Sequence, residues 1–264
     1  MAYETLLVDK TGAIATVTLN RPAKRNAMNG QMLADFHQLF AELRTDLETR
    51  FVIFTGAGTA FSAGADLSDT LAAESTTPPE DRSRLQQLAG HDFIRSLENL
   101  EQITVAAING YVLGAGLVLA MGCDFRIASE NARFGVPETN IGLFFTWGST
   151  PRLTRLIGPA KAKETIMTCD PIDAQEALRI GLANKVVPPE KLMDAAHELI
   201  EKIATKGPLA IRMTKKIVNA ATAANFGDLY ICEPELVERL ILSPEPIEGI
   251  QAFIEKRKPD FSGR

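Results

Sequence analysis

Asn109-Gly110-Tyr111-Val112-Leu113-Gly114-Ala115-Gly116 lies where an apolar run, Ile103 to Ile108, gives way to a short helical stretch, Gly114 to Gly122. The run reads as a buried strand, and Asn109-Gly110 as a turn. At a helix start the first N–H groups have no internal partners, so they can point at a ligand oxygen that bears negative charge. Small residues permit close approach. A second turn of the same kind, Phe61-Ser62-Ala63-Gly64-Ala65-Asp66-Leu67, follows the apolar strand Phe51 to Thr55 and the loop Gly56-Ala57-Gly58-Thr59. Taken alone, either turn reads as ordinary helix–strand packing, because glycines there often serve only geometry.

Outward from these turns the chain alternates strands and helices. Leu6-Leu7-Val8 and Ala13 to Leu19 flank Asp9-Lys10-Thr11-Gly12 and read as a hairpin. A basic loop, Asn20 to Met28, precedes an amphipathic helix from Gly30 to Leu43, whose Leu33, Phe36, Leu39, Phe40 and Leu43 recur at three and four with Asn29 as cap. Polar and proline-rich residues from Ser68 to Pro79 suggest an excursion. Leu85, Leu88, Phe93, Leu97 and Leu100 then mark a second helix. Phe125 to Ala128 and Ala132 to Gly135 are further strands, around the turn Ser129-Glu130-Asn131. Beyond Trp147 strands nearly stop. Helices are expected over Asp173 to Ile180, with an Asp173/Glu176 capping box and a Gly181 stop, and over Glu190 to Thr205, Leu209 to Ala221, Leu229 to Leu242 and Glu245 to Lys256. The pattern describes an α/β core over residues 1–200 with strands stacked in layers, and a helical region over 201–264 whose apolar faces need partners.

Composition narrows the function. The chain has 264 residues, 45% of them hydrophobic, which is enough for a core without disulfides or metal. A net charge of −5 argues against a nucleic-acid or anionic-membrane surface, so an anionic ligand must be met locally. Arg21, Lys24 and Arg25, and Lys256-Arg257-Lys258, are the clusters available for that, unless they are simply solvated. No apolar stretch reaches the roughly 18 residues a membrane span needs, and no secretory leader pattern opens the sequence, so a soluble cytoplasmic protein is expected. Cys123, Cys169 and Cys232 lack metal or redox spacing and read as buried or idle thiols; no metal site is expected.

Several catalytic signatures fail. Gly56-Ala57-Gly58 lacks the third glycine of a dinucleotide fingerprint, because position 61 is Phe. Ser149 has no glycine two residues beyond, so it is no nucleophile elbow. His37, His91 and His197 all fall in helical stretches and read as surface or packing groups.

Together with Phe134-Gly135-Val136-Pro137-Glu138, Gly142, Arg152-Leu153 and Phe253-Ile254-Glu255-Lys256-Arg257-Lys258-Pro259, the two turns resemble the enoyl-CoA hydratase/isomerase (crotonase) family, from about residue 5 to the end. The resemblance implies an α/β, crotonase-like (ClpP/crotonase) superhelix of stacked ββα units, with a helical C-terminal region that assembles homotrimers or homohexamers. It implies an acyl-CoA substrate, with coenzyme A as part of the thioester and no tightly bound cofactor. The backbone N–H groups of Ala65 and Ala115 would hold the thioester oxygen, stabilising the enolate more than the ground state. Lys24, Arg25 and Ala27, the strip Ala63, Ala65, Asp66 and Leu67, and Phe253 and Lys256 would cradle coenzyme A.

Glu138 matches the family's catalytic carboxylate. Its stretch, Phe134 to Leu143, is otherwise uncharged, so desolvation would raise its pKa toward a general-base value. Hydratases of the family carry a second Glu on the helix after the oxyanion turn. Here the matching residue is Val118, and no acid occurs from Tyr111 to Gly122. A single base can still shuttle a proton between carbons, so Δ3-Δ2 enoyl-CoA isomerisation is the first expectation. A hydratase with non-standard water activation is the second, and a non-catalytic acyl-CoA or RNA-binding relative the third. Phe144, Phe145 and Trp147 stand where relatives have small residues, either to wall the acyl pocket or to pack the next helix.

Overall fold

The computed structural model describes residues 3–66, 79–141, 143, 145–223, 248, 252, 255, 257 and 260. The chain divides into two compact units, Met1–Ala196 and His197–Arg264.

In the first unit, β1 (Leu6–Thr11) and β2 (Ile14–Leu19) form the expected hairpin, in the register Leu6 opposite Leu19. The turn is tighter than expected. Asp9, Lys10 and Thr11 continue the strand, and Gly12, at φ +59°, makes the reversal with Ala13. Next come α1 (Gly30–Thr45), β3 (Phe51–Gly56), β4 (Ala60–Ser62) and α2 (Pro79–Glu98). The side chain of Asn29 caps α1 by accepting from the Met32 N–H at 3.0 Å. β5 (Ile103–Ile108), β6 (Tyr111–Leu113) and α3 (Ala115–Gly122) repeat the strand, strand, helix order. β7 (Phe125–Ser129) and β8 (Arg133–Gly135) begin it a third time.

Each repeat gives its first strand to one sheet and its second to another. The first sheet runs β1-β2-β3-β5-β7-β10, where β10 is Lys185–Val187; the second runs β4-β6-β8-β9, where β9 is Ile172–Asp173. From β2 to β10 the first sheet is parallel. β9 and β10 are the only strands beyond Trp147 among the described residues, as expected of a stretch where strands nearly stop. They are too short to carry a pattern of their own, and their edges are supplied by β8 and β7. α4 (Ser149–Ile157) and α5 (Pro159–Thr168) precede β9, and α6 (Ala174–Arg179) lies between β9 and β10. Asp173 caps α6 as expected, through the Glu176 N–H at 2.8 Å. The Glu176 carboxylate does not complete a box with the cap residue's N–H; it pairs with Arg179 and Lys161.

The core lies where α1 and α2 cover β3. Phe36, Phe40, Phe54 and Phe93 stack there at ring separations of 5.2–6.4 Å, all but fully buried. Leu88, expected to face the core, is half exposed. The far end of α3 is pinned by buried Arg126, whose Nη1 donates to the Cys123 carbonyl and whose Nε donates to that of Leu182. After β10 come α7 (Leu192–Ala204) and α8 (Pro208–Ala223), close to the expected spans. The helices expected at Leu229 to Leu242 and Glu245 to Lys256, and Cys232, lie outside the continuously described residues. Among the described residues no helix is long and apolar enough to cross a membrane.

Candidate active site

Sheet two sets the frame, because β4, β6 and β8 run parallel and side by side. Parallel neighbours end at the same edge, so the segments that follow them emerge together. After β4 comes Ala63-Gly64-Ala65-Asp66, after β6 comes Gly114-Ala115, and after β8 comes Val136-Pro137-Glu138.

These three segments touch. A β-carbon built on Gly64 would lie 3.1 Å from the Leu113 carbonyl oxygen and 3.6 Å from the Ala115 nitrogen. One built on Gly114 would lie 2.6 Å from Oε1 of Glu138 and 3.7 Å from the Gly64 α-carbon. The Gly114 N–H donates to the Gly135 carbonyl at 3.1 Å, which ties the second segment to the strand before the third. Gly114 has φ +45° and ψ −118°, a conformation that side chains strongly disfavour, so glycine is required twice over there.

Ala115 opens α3, and its N–H has no acceptor among the described residues. The Ala65 N–H has none either. Met28 bridges to Ala65 in parallel fashion: its N–H donates to the Gly64 carbonyl at 2.8 Å, and its carbonyl accepts from the Asp66 N–H at 2.9 Å. That pattern occupies both neighbours and leaves the intervening N–H available. Ser62 shapes the turn, donating from Oγ to the Asn26 carbonyl and accepting from the Gly64 N–H.

Glu138 starts a short 3-10 turn, Glu138–Ile141, and is half buried. Its Oε2 is shielded from solvent and has no hydrogen-bond partner among the described residues. Burial pushes its carboxyl above the ordinary glutamate range, and only its own backbone N–H works against that. A carboxyl that binds its proton more tightly in the folded chain contributes stability below its unfolded pKa and loses it as pH rises through the folded value. Glu138→Gln is therefore expected to raise the thermal midpoint at pH 8 relative to wild type, with the gap closing below the ordinary glutamate pKa of about 4.3. Equal midpoints at all pH values would contradict this.

Val118 sits one helical turn beyond Ala115 on α3, on the same side, and is 2% exposed. No carboxylate stands there.

The basic loop is stitched to the first of these turns. The Ala63 N–H donates to the Arg25 carbonyl, and Nη1 of Arg21 donates to the carboxylate of Asp66 at 2.9 Å and to the Ala27 carbonyl. Lys24 and Arg25 are exposed beside it. Leu67, Phe253 and Lys256, with Gly142 and Phe144, lie outside the described residues. Asn26 is the organiser that the sequence reading missed. Wholly buried at φ +55°, it accepts from the Arg21 N–H and donates to the carbonyls of Ala57 and Ala60. An asparagine inside a turn-rich basic loop was its signal. Of the histidines, His91 is exposed and His37 and His197 are partly buried. Cys123 is buried, whereas Cys169 is partly exposed and meets Thr139 Oγ1 through its sulfur. No group of residues among those described could hold a metal ion.

Comparison with known proteins fits this arrangement. The sequence model of the family described as enoyl-CoA hydratase/isomerase matches residues 9–264. The chain is 39% identical over 259 residues to the short-chain-enoyl-CoA hydratase of Clostridium acetobutylicum, covering 98% of this chain and 97% of that one. It is 37% identical over 264 residues to the crotonyl-CoA hydratase of Syntrophomonas wolfei, covering 99% of each. The crystal structure of an enoyl-CoA hydratase from Bacillus anthracis superimposes with a TM-score of 0.91 at 36% identity, over 99% of this chain and 100% of that one.

Proposed function

The chain belongs to the enoyl-CoA hydratase/isomerase family, and from that membership we propose that it takes a short enoyl-CoA, holds the thioester oxygen between the Ala65 and Ala115 N–H groups, and moves protons with Glu138. The fold is the α/β crotonase fold, with two mixed sheets and C-terminal helices, and the protein is an enzyme of that family. Family members act on CoA thioesters without a tightly bound cofactor. The observation that carries the proposal is the buried, unpartnered Oε2 of Glu138 beside Gly114, flanked by two turns with free N–H groups. Lys24 and Arg25 supply positive charge next to the turn that carries Ala63, Ala65 and Asp66, which suits the phosphates of coenzyme A.

The names of the relatives favour hydration over the isomerisation that Val118 placed first in the sequence reading. Hydration is thus the leading reaction. Glu138 takes a proton from water as the oxygen adds to the β-carbon, charge passes to the thioester oxygen, and the same proton returns to the α-carbon. Isomerisation is the second reading and is favoured by Val118: Glu138 removes a proton from C2 of a 3-enoyl thioester and returns it to C4. Both use one carboxylate and the same oxyanion donors.

The test is a comparison of initial rates on 2-enoyl-, 3-enoyl- and 3-hydroxyacyl-CoA, followed by absorbance and mass. Fast interconversion of 3-enoyl-CoA with negligible hydration would reverse the order of the two readings, and turnover of none would sink both. Val118→Glu restores a second carboxylate one turn from Ala115. It is expected to raise hydration at least about tenfold, a modest part of the 10²–10⁴ that a positioned proton-transfer group supplies. The new acid enters a buried position, so melting curves must accompany the rates. An unchanged hydration rate in a folded variant would argue against the role assigned to this position.

Assembly is proposed as a homotrimer or a pair of trimers. Leu229, Leu236, Val237, Leu240 and Ile241, the apolar positions that motivate it, lie outside the described residues. Sedimentation is expected to give three or six times the chain mass, and a concentration-independent monomer would refute assembly.

A further inference from the structure

We infer that Trp147 forms the far wall of the acyl pocket, seated on Gly90, and restricts the acyl group to a short one. This rests on the acyl-CoA reading above and deepens it. Trp147 adopts φ +56°, a left-handed conformation that a bulky residue rarely holds and that glycine would take without cost. Such local strain persists where the surroundings over-determine it, typically at functional sites.

The surroundings are visible. The indole lies on the Gly90 α-carbon so closely that a β-carbon there would come within 2.1 Å of the ring atoms Cε2 and Nε1. Its other neighbour on α2 is Phe93, edge-on at 6.2 Å. The loop beneath is clamped on both sides. Thr150 Oγ1 donates to the Phe145 carbonyl at 2.7 Å, the Ser149 N–H donates to the Thr146 carbonyl at 3.0 Å, and Arg152 donates to the Gly148 carbonyl while forking onto Glu98 of α2.

Phe36, Phe40 and Phe93 are wholly buried, yet Trp147, last in this run of rings, is only partly covered. It packs against the same buried cluster that contains Ala115, Val118 and Phe145. The oxyanion helix, Val118 and the strained indole are thus parts of one continuous core. A rigid, partly covered ring at the edge of that core suits a short acyl chain and would stop a long one.

Trp147 is the single tryptophan of the chain, so selectively excited tryptophan emission reports on it alone. The wild type is titrated with coenzyme A, butyryl-CoA and decanoyl-CoA, and binding is followed in parallel by calorimetry. Butyryl-CoA is expected to change the emission where coenzyme A does not. In Trp147→Ala, decanoyl-CoA should gain on butyryl-CoA by at least about tenfold, since burial of roughly two further methylenes suffices for that. Trp147→Leu replaces it if the alanine variant does not fold. Gly90→Ala should weaken butyryl-CoA binding, and should have no further effect on top of Trp147→Ala. Identical emission with coenzyme A and butyryl-CoA, or an unmoved affinity ratio in a folded Trp147 variant, overturns the wall while leaving acyl-CoA binding intact. Calorimetry that finds no binding of any of the three overturns the acyl-CoA reading itself, and the wall with it.

Discussion

Glu138→Gln is expected to lower enoyl-CoA turnover by about 10²–10⁴-fold, the usual worth of a positioned proton-transfer group, with coenzyme A affinity unchanged. Gln keeps the size of the side chain and its place beside Gly114, but it cannot accept the proton. The effect should be large because α3 offers no second acid: none lies between Tyr111 and Gly122, and Val118 stands one turn beyond Ala115. Rates must be measured with saturating substrate alongside calorimetric binding. A variant that turns over at the wild-type rate would remove Glu138 from the mechanism, and one that loses affinity and rate together would make it a binding group. On the acid side, activity should fall as pH drops through the raised pKa of Glu138, because the carboxylate is the working form. That limb should lie above the ordinary glutamate range and vanish in the Gln variant.

Gly114→Ala should be comparably damaging for a different reason. Its β-carbon would lie 2.6 Å from Oε1 of Glu138, and the residue would have to hold φ +45°. Either the carboxylate moves or the start of α3 does, and the second displaces the Ala115 N–H. Loss of one oxyanion donor costs about 10²–10³-fold in turnover, and that is the expected drop. Gly158→Ala is the control, because that residue also has positive φ, at +79°, but its β-carbon would meet nothing within 4 Å. Both variants should lose stability through strain, by about 1–3 kcal/mol, while only Gly114→Ala should lose turnover. Full activity in Gly114→Ala would show that neither group depends on this close approach.

Much of this arrangement was readable in the sequence, and what was not has a common cause. α1 announced itself because five apolar residues recur at helical spacing behind a capping Asn29, and β3 and β5 because each is an apolar run broken by a single threonine. β6, β9 and β10 have two or three residues each, too few to show a period, and exist because a neighbouring strand offers its edge. The hairpin was placed correctly but its turn too broadly, since Asp9 to Thr11 look like turn residues until they pair with Thr16, Ala15 and Ile14. Glu138 drew attention through family resemblance, and its otherwise uncharged stretch, Phe134 to Leu143, already pointed to the desolvation that raises its pKa, whereas its meeting with Gly114 comes from tertiary packing that no local pattern encodes. The missing second acid at Val118 was legible at once, but it led the sequence reading to place isomerisation ahead of hydration, against the names carried by the relatives. Asn26 and Trp147 escaped a structural reading because left-handed backbone outside glycine is decided by what surrounds it.

The segments holding Ala65, Ala115 and Glu138 leave three adjacent parallel strands, one from each successive repeat. Neighbouring strands are about 4.8 Å apart, so backbone hydrogen bonding in the sheet, rather than the lengths of the intervening loops, sets the pitch at which reactive groups are presented. Loops between repeats can lengthen or diverge without disturbing that pitch. A new reaction then asks for a different side chain at one rung and no new backbone, which makes this architecture open to changes of chemistry by single substitutions.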